Sequence, residues 1–186
     1  MAGSRMITTF SGRVMDPVNS VPADFCAMDI AHALAMKCRY GGHCRFFYSV
    51  AQHSVLCAQA AMRAGVDARW ALMHDAAEAY LCDVPAPVKS RLNGFAEIEL
   101  RLLKSLSAWL GLPDPEPLPL FVRLLDEQIV SAEWEVLMPP SVIVNFKPVP
   151  DSSPLQDMVI SPWGPEKSKV EFLALFRRFF PEHCGR

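Results

Sequence analysis

No apolar run in this chain is long enough to span a bilayer; charged residues interrupt every candidate, which argues against a membrane partner. The opening residues, MAGSRMITTF, lack the apolar stretch of a secretory leader, so the expected location is cytoplasmic. There is no basic cluster, and a formal net charge of −2 gives no reason to expect duplex nucleic acid or an anionic membrane as partner. A small anionic substrate in a locally basic pocket remains compatible with that charge. The six cysteines (Cys26, Cys38, Cys44, Cys57, Cys82 and Cys184) contain no C-x-x-C pair, which argues against a thiolate zinc site or a thioredoxin-like motif. In a reducing compartment most of them read as small core residues. Internal repeats and low-complexity tracts are also missing.

What the chain does have is apolar material in helical spacing. A hydrophobic fraction of 51% and 186 residues suit a single domain with a real core. Residues 7–14, ITTFSGRV, read as a small β hairpin around Ser11-Gly12, followed by a loop rich in Pro, Asn and Asp. The spacing predicts helices over about 28–38, from a Ser49/Gln52 capping box to Gly65, and from an Asp67 cap to about Leu81. Pro85 and Pro87 then allow a short helical turn. Further helices are predicted at about 95–110, about 119–138 ending at Pro139-Pro140, and about 165–180 with Val170, Phe172, Leu173, Phe176 and Phe180 inward. The segment 141–161 reads as an irregular loop with at most one short strand. The expected fold is mostly α: a single helical bundle with a short N-terminal β hairpin.

Charged residues within this apolar pattern carry the functional signal. WALMHDAAEAYLCDVPAPVK, residues 70–89, places His74, Asp75, Glu78, Asp83 and Lys89 in a segment that is otherwise apolar. Buried charges are costly unless paired or bound to a metal. His53 lies in the preceding helix, and Asp126 lies midway along a later one in FVRLLDEQIV. Imidazoles and carboxylates from neighbouring helices can close around one divalent cation. The alternative is that each is an ordinary helix residue, with the carboxylates facing water.

The order His53, His74-Asp75, Asp126 resembles the H…HD…D signature of the HD-domain metal-dependent phosphohydrolases. HDAAEAYLCDVPAPVK, with Arg39-Tyr40 about fifteen residues ahead of His53, is similar to the branch containing bacterial 5′-deoxynucleotidases. The run RYGGHCRFFYSVAQHS is similar to stand-alone HD hydrolases of phages and bacteria, a dATP triphosphohydrolase among them. The resemblance covers about residues 24–137, leaving a C-terminal loop and helix at 141–181.

It implies His53, His74, Asp75 and Asp126 as metal ligands, and Glu78 and Asp83 as groups that position or deprotonate water and assist the leaving group. Arg39 and Lys89 are then phosphate donors, each with a solvated surface charge as the alternative, and Tyr40 a stacking group or a core residue. His43 and Arg45 suit a longer polyphosphate, or simply brace their loop, and Gly41-Gly42 leave room beside a base. His32 reads as a helix-face residue, and His183 carries no role. No histidine falls between Asp75 and Asp126, so one transition-metal ion (Co, Mn, Zn, Ni or Fe) is expected, with a second ion such as Mg recruited by substrate phosphate. The implied activity is hydrolysis of (deoxy)nucleotide phosphate esters, by a dNTP triphosphohydrolase or a dNMP 5′-nucleotidase, in a homo-oligomer. A degenerate module that binds nucleotide without turnover is the competing reading.

Overall fold

The computed structural model describes residues 5–140 and 149–183. Cys184 and part of the 141–161 segment lie outside them. The chain is mostly helical, with a two-stranded antiparallel hairpin pairing β1 (Ile7–Thr8) with β2 (Val14–Met15). Among the described residues eight α-helices follow: α1 Ala27–Met36, α2 Val50–Arg63, α3 Arg69–Met73, α4 Glu78–Leu81, α5 Ala86–Lys89, α6 Phe95–Leu110, α7 Leu120–Leu137 and α8 Pro165–Phe179.

Helix α2 is the hub, packed against α1, α3, α7 and α8. Its small residues Ala51, Ala58, Ala60 and Ala61 are fully buried and let neighbouring helices approach closely. Ser49 Oγ accepts the Gln52 N–H at 3.1 Å and caps its start. At its end Gly65, at φ 68°, closes a Schellman turn with bonds from Gly65 N–H to Met62 C=O and Val66 N–H to Ala61 C=O. Only half of the predicted capping box forms. Gln52 is fully buried and its amide is engaged elsewhere: Nε2 donates to the Ser161 carbonyl at 2.7 Å, and Oε1 accepts the Trp163 N–H at 2.9 Å.

The helix predicted from Asp67 to Leu81 is instead divided into α3 and α4. The His74 ring takes the Ala71 carbonyl at 2.9 Å, the acceptor that an uninterrupted helix would offer to Asp75 N–H. Through the join the chain tightens to i→i−3 bonds, Ala76 to Met73, Glu78 to Asp75 and Ala79 to Ala76. The start is also shifted: Ala68 occupies the cap, while Asp67 accepts the Arg69 N–H and clasps its guanidinium.

Helix α8 packs into the same apolar core as the helices before it. Phe172, Phe176 and Phe180 are among the most deeply buried side chains, and they join one apolar cluster that runs from Met15 to Phe180. Val170, expected on that inward face, is exposed. The cysteine expectation also needs correction. Cys26 and Cys57 are buried, but Cys38 and Cys44 are half-buried and Cys82 is exposed. Cys82 ends α4 at φ 73°, and the other two flank the loop that carries Arg39 and Tyr40. The hairpin is tied to α1 by Asp29, which accepts from Thr9 Oγ1, Ser11 N–H and Ser11 Oγ. Among the described residues, no helix is long and apolar enough to cross a membrane.

Candidate metal centre

Helices α2 and α7 and the join between α3 and α4 bring the four predicted ligands together. His53 Nε2 lies 3.3 Å from His74 Nε2. Asp126 Oδ1 lies 3.1 Å from His53 Nε2 and 3.9 Å from His74 Nε2. Asp75 Oδ2 lies 3.6 Å and 3.4 Å from the same two nitrogens. His53 and His74 are buried, whereas the two carboxylates are partly open to a cavity.

Both imidazoles are held through their other nitrogen. His53 Nδ1 is 2.7 Å from Glu133 Oε1, and His74 Nδ1 is 2.9 Å from the Ala71 carbonyl. Both partners are acceptors, so each Nδ1 carries the proton and each Nε2 presents a lone pair. Two lone pairs then face each other beside two carboxylates. With both rings neutral, these lone pairs and the two carboxylates converge with only Arg39 Nη1, on Asp75, and the Cys57 thiol as neighbouring donors, and a proton on His53 or a cation would relieve their repulsion. The donor set, two nitrogens and two carboxylates, fits a transition-metal ion better than magnesium.

Glu133 is a further residue of the cluster that lies outside the H…HD…D pattern. It sits two helical turns beyond Asp126 on α7, fully buried, and accepts from Tyr40 OH at 2.7 Å as well as from His53. Arg39 Nε lies 3.3 Å from Glu133 Oε2 without the alignment of a hydrogen bond, and Arg39 Nη1 reaches Asp75 Oδ2 at 3.3 Å. Burial alone would raise Glu133, but Arg39 and His53 beside it hold it down at about 2. Its spacing from Asp126 was the signal available in SAEWEV.

The cavity beside the centre measures about 590 Å³. Arg39, Tyr40, His43, Glu78, Asp83 and Lys89 all line it together with Asp75 and Asp126, while Val130, Trp134 and Met138 form an apolar wall. Glu78 is buried, its Oε2 has no hydrogen-bond partner among the described residues, and burial together with Asp75 and Asp83 pushes it up to about 10. Asp83 is raised by burial, partly offset by Arg39. Lys89 is ion-paired with Glu99. Tyr40 and Gly41 both adopt positive φ, which turns the loop across the cavity mouth; a Cβ on Gly41 would meet the His43 ring at 3.7 Å. Arg45 is exposed and stacks on Phe46. His32 stacks on Phe10, and His183 meets the edge of Trp109, both away from this cavity.

Burial disfavours a charged His53, as does Arg39, but Cys57, Glu133 and Asp126 outweigh them and raise it well above its ordinary value. A raised histidine stabilises the metal-free fold below its unfolded value of about 6.5, and that contribution is lost as pH rises through the folded value. A metal needs the unprotonated ring, so loading displaces this proton and strengthens by about tenfold per pH unit. The thermal stabilisation given by a fixed zinc concentration should therefore grow from about pH 6 to 8. A stabilisation independent of pH in a melting series would contradict this protonation scheme.

No family model matches the chain. An uncharacterized protein of Rhodobacter capsulatus is 38% identical over 133 residues, 67% of this chain and 68% of that protein. The uncharacterized protein YfdR of Escherichia coli K12 is 43% identical over 109 residues, 58% of this chain. The match spans 59% of the E. coli protein's length. The chain belongs to one family with the Rhodobacter protein.

Proposed function

We propose that this protein is a metal-dependent hydrolase of (deoxy)nucleotide phosphate esters, of the HD-domain type. The observation that carries the reading is the convergence of His53, His74, Asp75 and Asp126 at the edge of a cavity with one ionic and one apolar wall. A divalent ion there supplies Lewis acidity toward a phosphoryl oxygen.

The chain's own groups supply the rest. Arg39, fixed by Asp75 and Glu133, offers its remaining N–H donors to phosphate oxygens. Lys89 is a weaker candidate because Glu99 already neutralises it. Trp134, Val130 and Met138 form a surface suited to a base or sugar. Glu78, which keeps its proton in neutral solution, is placed to protonate a leaving oxygen. Asp83, half-buried on the same wall, is placed to accept a proton from the attacking water.

Incubating the protein with dNMPs, NMPs and dNTPs in Mn, Co or Zn tests this reading. Release of orthophosphate from dNMPs identifies a 5′-nucleotidase, and release of triphosphate from a dNTP identifies a triphosphohydrolase. Glu78→Gln should lower kcat by about a hundredfold or more with little change in KM, in keeping with loss of a general acid. Tight nucleotide binding with no product in any metal would favour the non-hydrolytic module instead.

A further inference from the structure

We propose that Cys57 is a ligand in this metal centre, and that its sulfur makes the site select zinc, cobalt or ferrous iron over magnesium and manganese. The inference rests on the reading of the cluster as a metal site and deepens it.

Cys57 lies one helical turn beyond His53 on α2, on the same side of the helix. Its Sγ is 3.6 Å from His53 Nε2. One donor atom each from His53, Cys57, His74 and Asp126 all lie within 4.8 Å of one another. Around a tetrahedral zinc with ordinary bond lengths, two nitrogens stand roughly 3.3 Å apart, and a nitrogen and a sulfur roughly 3.6 Å. The two imidazole nitrogens are 3.3 Å apart, and the nitrogen–sulfur separation is 3.6 Å. Two of the six edges of a mixed N₂SO tetrahedron are therefore already in place, and the other donor pairs lie within 4.8 Å.

Asp75 competes for the same ion from the other side. Its carboxylate is partly exposed at the cavity and held by Arg39, whereas Cys57 is buried at the inner end of the cluster. With sulfur as the fourth ligand, Asp75 stays available to Arg39 and to the cavity. As the sulfur–metal bond forms, the S–H bond breaks and its proton passes to solvent. Soft sulfur discriminates against hard, oxygen-preferring cations, which gives the selectivity. The competing account is a simple S–H···N hydrogen bond to His53 in an all-N/O site.

Cobalt substitution of the full chain distinguishes these accounts. Wild type should bind one cobalt per chain and show the near-ultraviolet thiolate-to-cobalt charge-transfer band. In Cys57→Ser and Cys57→Ala the band should vanish, with zinc affinity falling at least about tenfold relative to manganese. His74→Ala should lose the bound cobalt, which locates it in this centre. Stoichiometric cobalt without the band in wild type overturns the proposal while leaving the metal site intact, and this measurement needs no variant to fold. A band that persists in the Cys57 variants also overturns it, pointing to the Cys38 and Cys44 thiols, whose sulfurs are 3.4 Å apart. Wild type that binds no cobalt overturns the metal-site reading and this inference with it.

Discussion

Glu133→Ala should weaken both the fold and zinc binding at the candidate metal site. The carboxylate lies between Arg39, Tyr40 and His53, all drawn from the N-terminal part of the chain, and its own helix also carries Asp126. Removing it breaks one of the two ion pairs of the buried Arg39 guanidinium and leaves Asp75 as the other, and loss of one partner of a buried pair costs about 3–5 kcal/mol. It also frees the His53 ring to rotate or to change tautomer, and loss of such an orienting partner weakens metal binding by about 10–100-fold. Urea unfolding and zinc titration of the same variant measure the two effects. A variant with the wild-type urea midpoint and zinc affinity would mean that Glu133 orients nothing. Glu133→Gln, which keeps an acceptor for Tyr40 but loses the charge, should fall between the two.

The second large effect is expected far from the cavity. Phe176→Ala on α8 should destabilise the chain by about 3–5 kcal/mol, the usual range for removing a fully buried phenyl ring. For a chain of this size that is a fall in Tm of about 6–20 °C. Phe176 has no solvent exposure and packs against Trp109 and Phe180, with ring centroids 5.9 Å and 5.0 Å away. Helix α8 rests on α1 and α2, so the variant should hold any zinc added to the candidate site until it unfolds, with both lost in one transition. A calorimetric scan in which metal release precedes unfolding would show that α8 supports the centre separately from the rest of the core.

The sequence made some of this legible and left the rest hidden, for identifiable reasons. Local chemistry was readable: the Ser49 cap, the Gly65 stop, the prolines that bound α7, and the ligand residues set in apolar helices. Interactions that depend on a distant partner were not. Gln52 follows Ser49 at capping-box spacing, yet its amide bonds the chain more than a hundred residues later. The break after Met73 depends on the His74 ring turning back to Ala71, a choice forced by where its other nitrogen must point. Glu133 sits among residues that look like an ordinary amphipathic helix, and only the fold shows that it faces inward beneath His53. Cys57 is one of six cysteines that the sequence does not tell apart, because sulfur beside an imidazole depends on which face of α2 meets α3 and α7.

The Gln52 anchor has a consequence for how the C-terminal part of the chain can vary. Its partners at Ser161 and Trp163 are backbone groups, so the hydrogen bonds themselves do not use the side chains at those two positions, and the Trp163 ring packs on the core instead. The path of the chain there is not free. An insertion or deletion between residue 161 and the start of α8 would shift the register and strand a buried amide next to His53. The spacing between residue 161 and α8 is therefore constrained by a side chain that lies more than a hundred residues earlier in the chain.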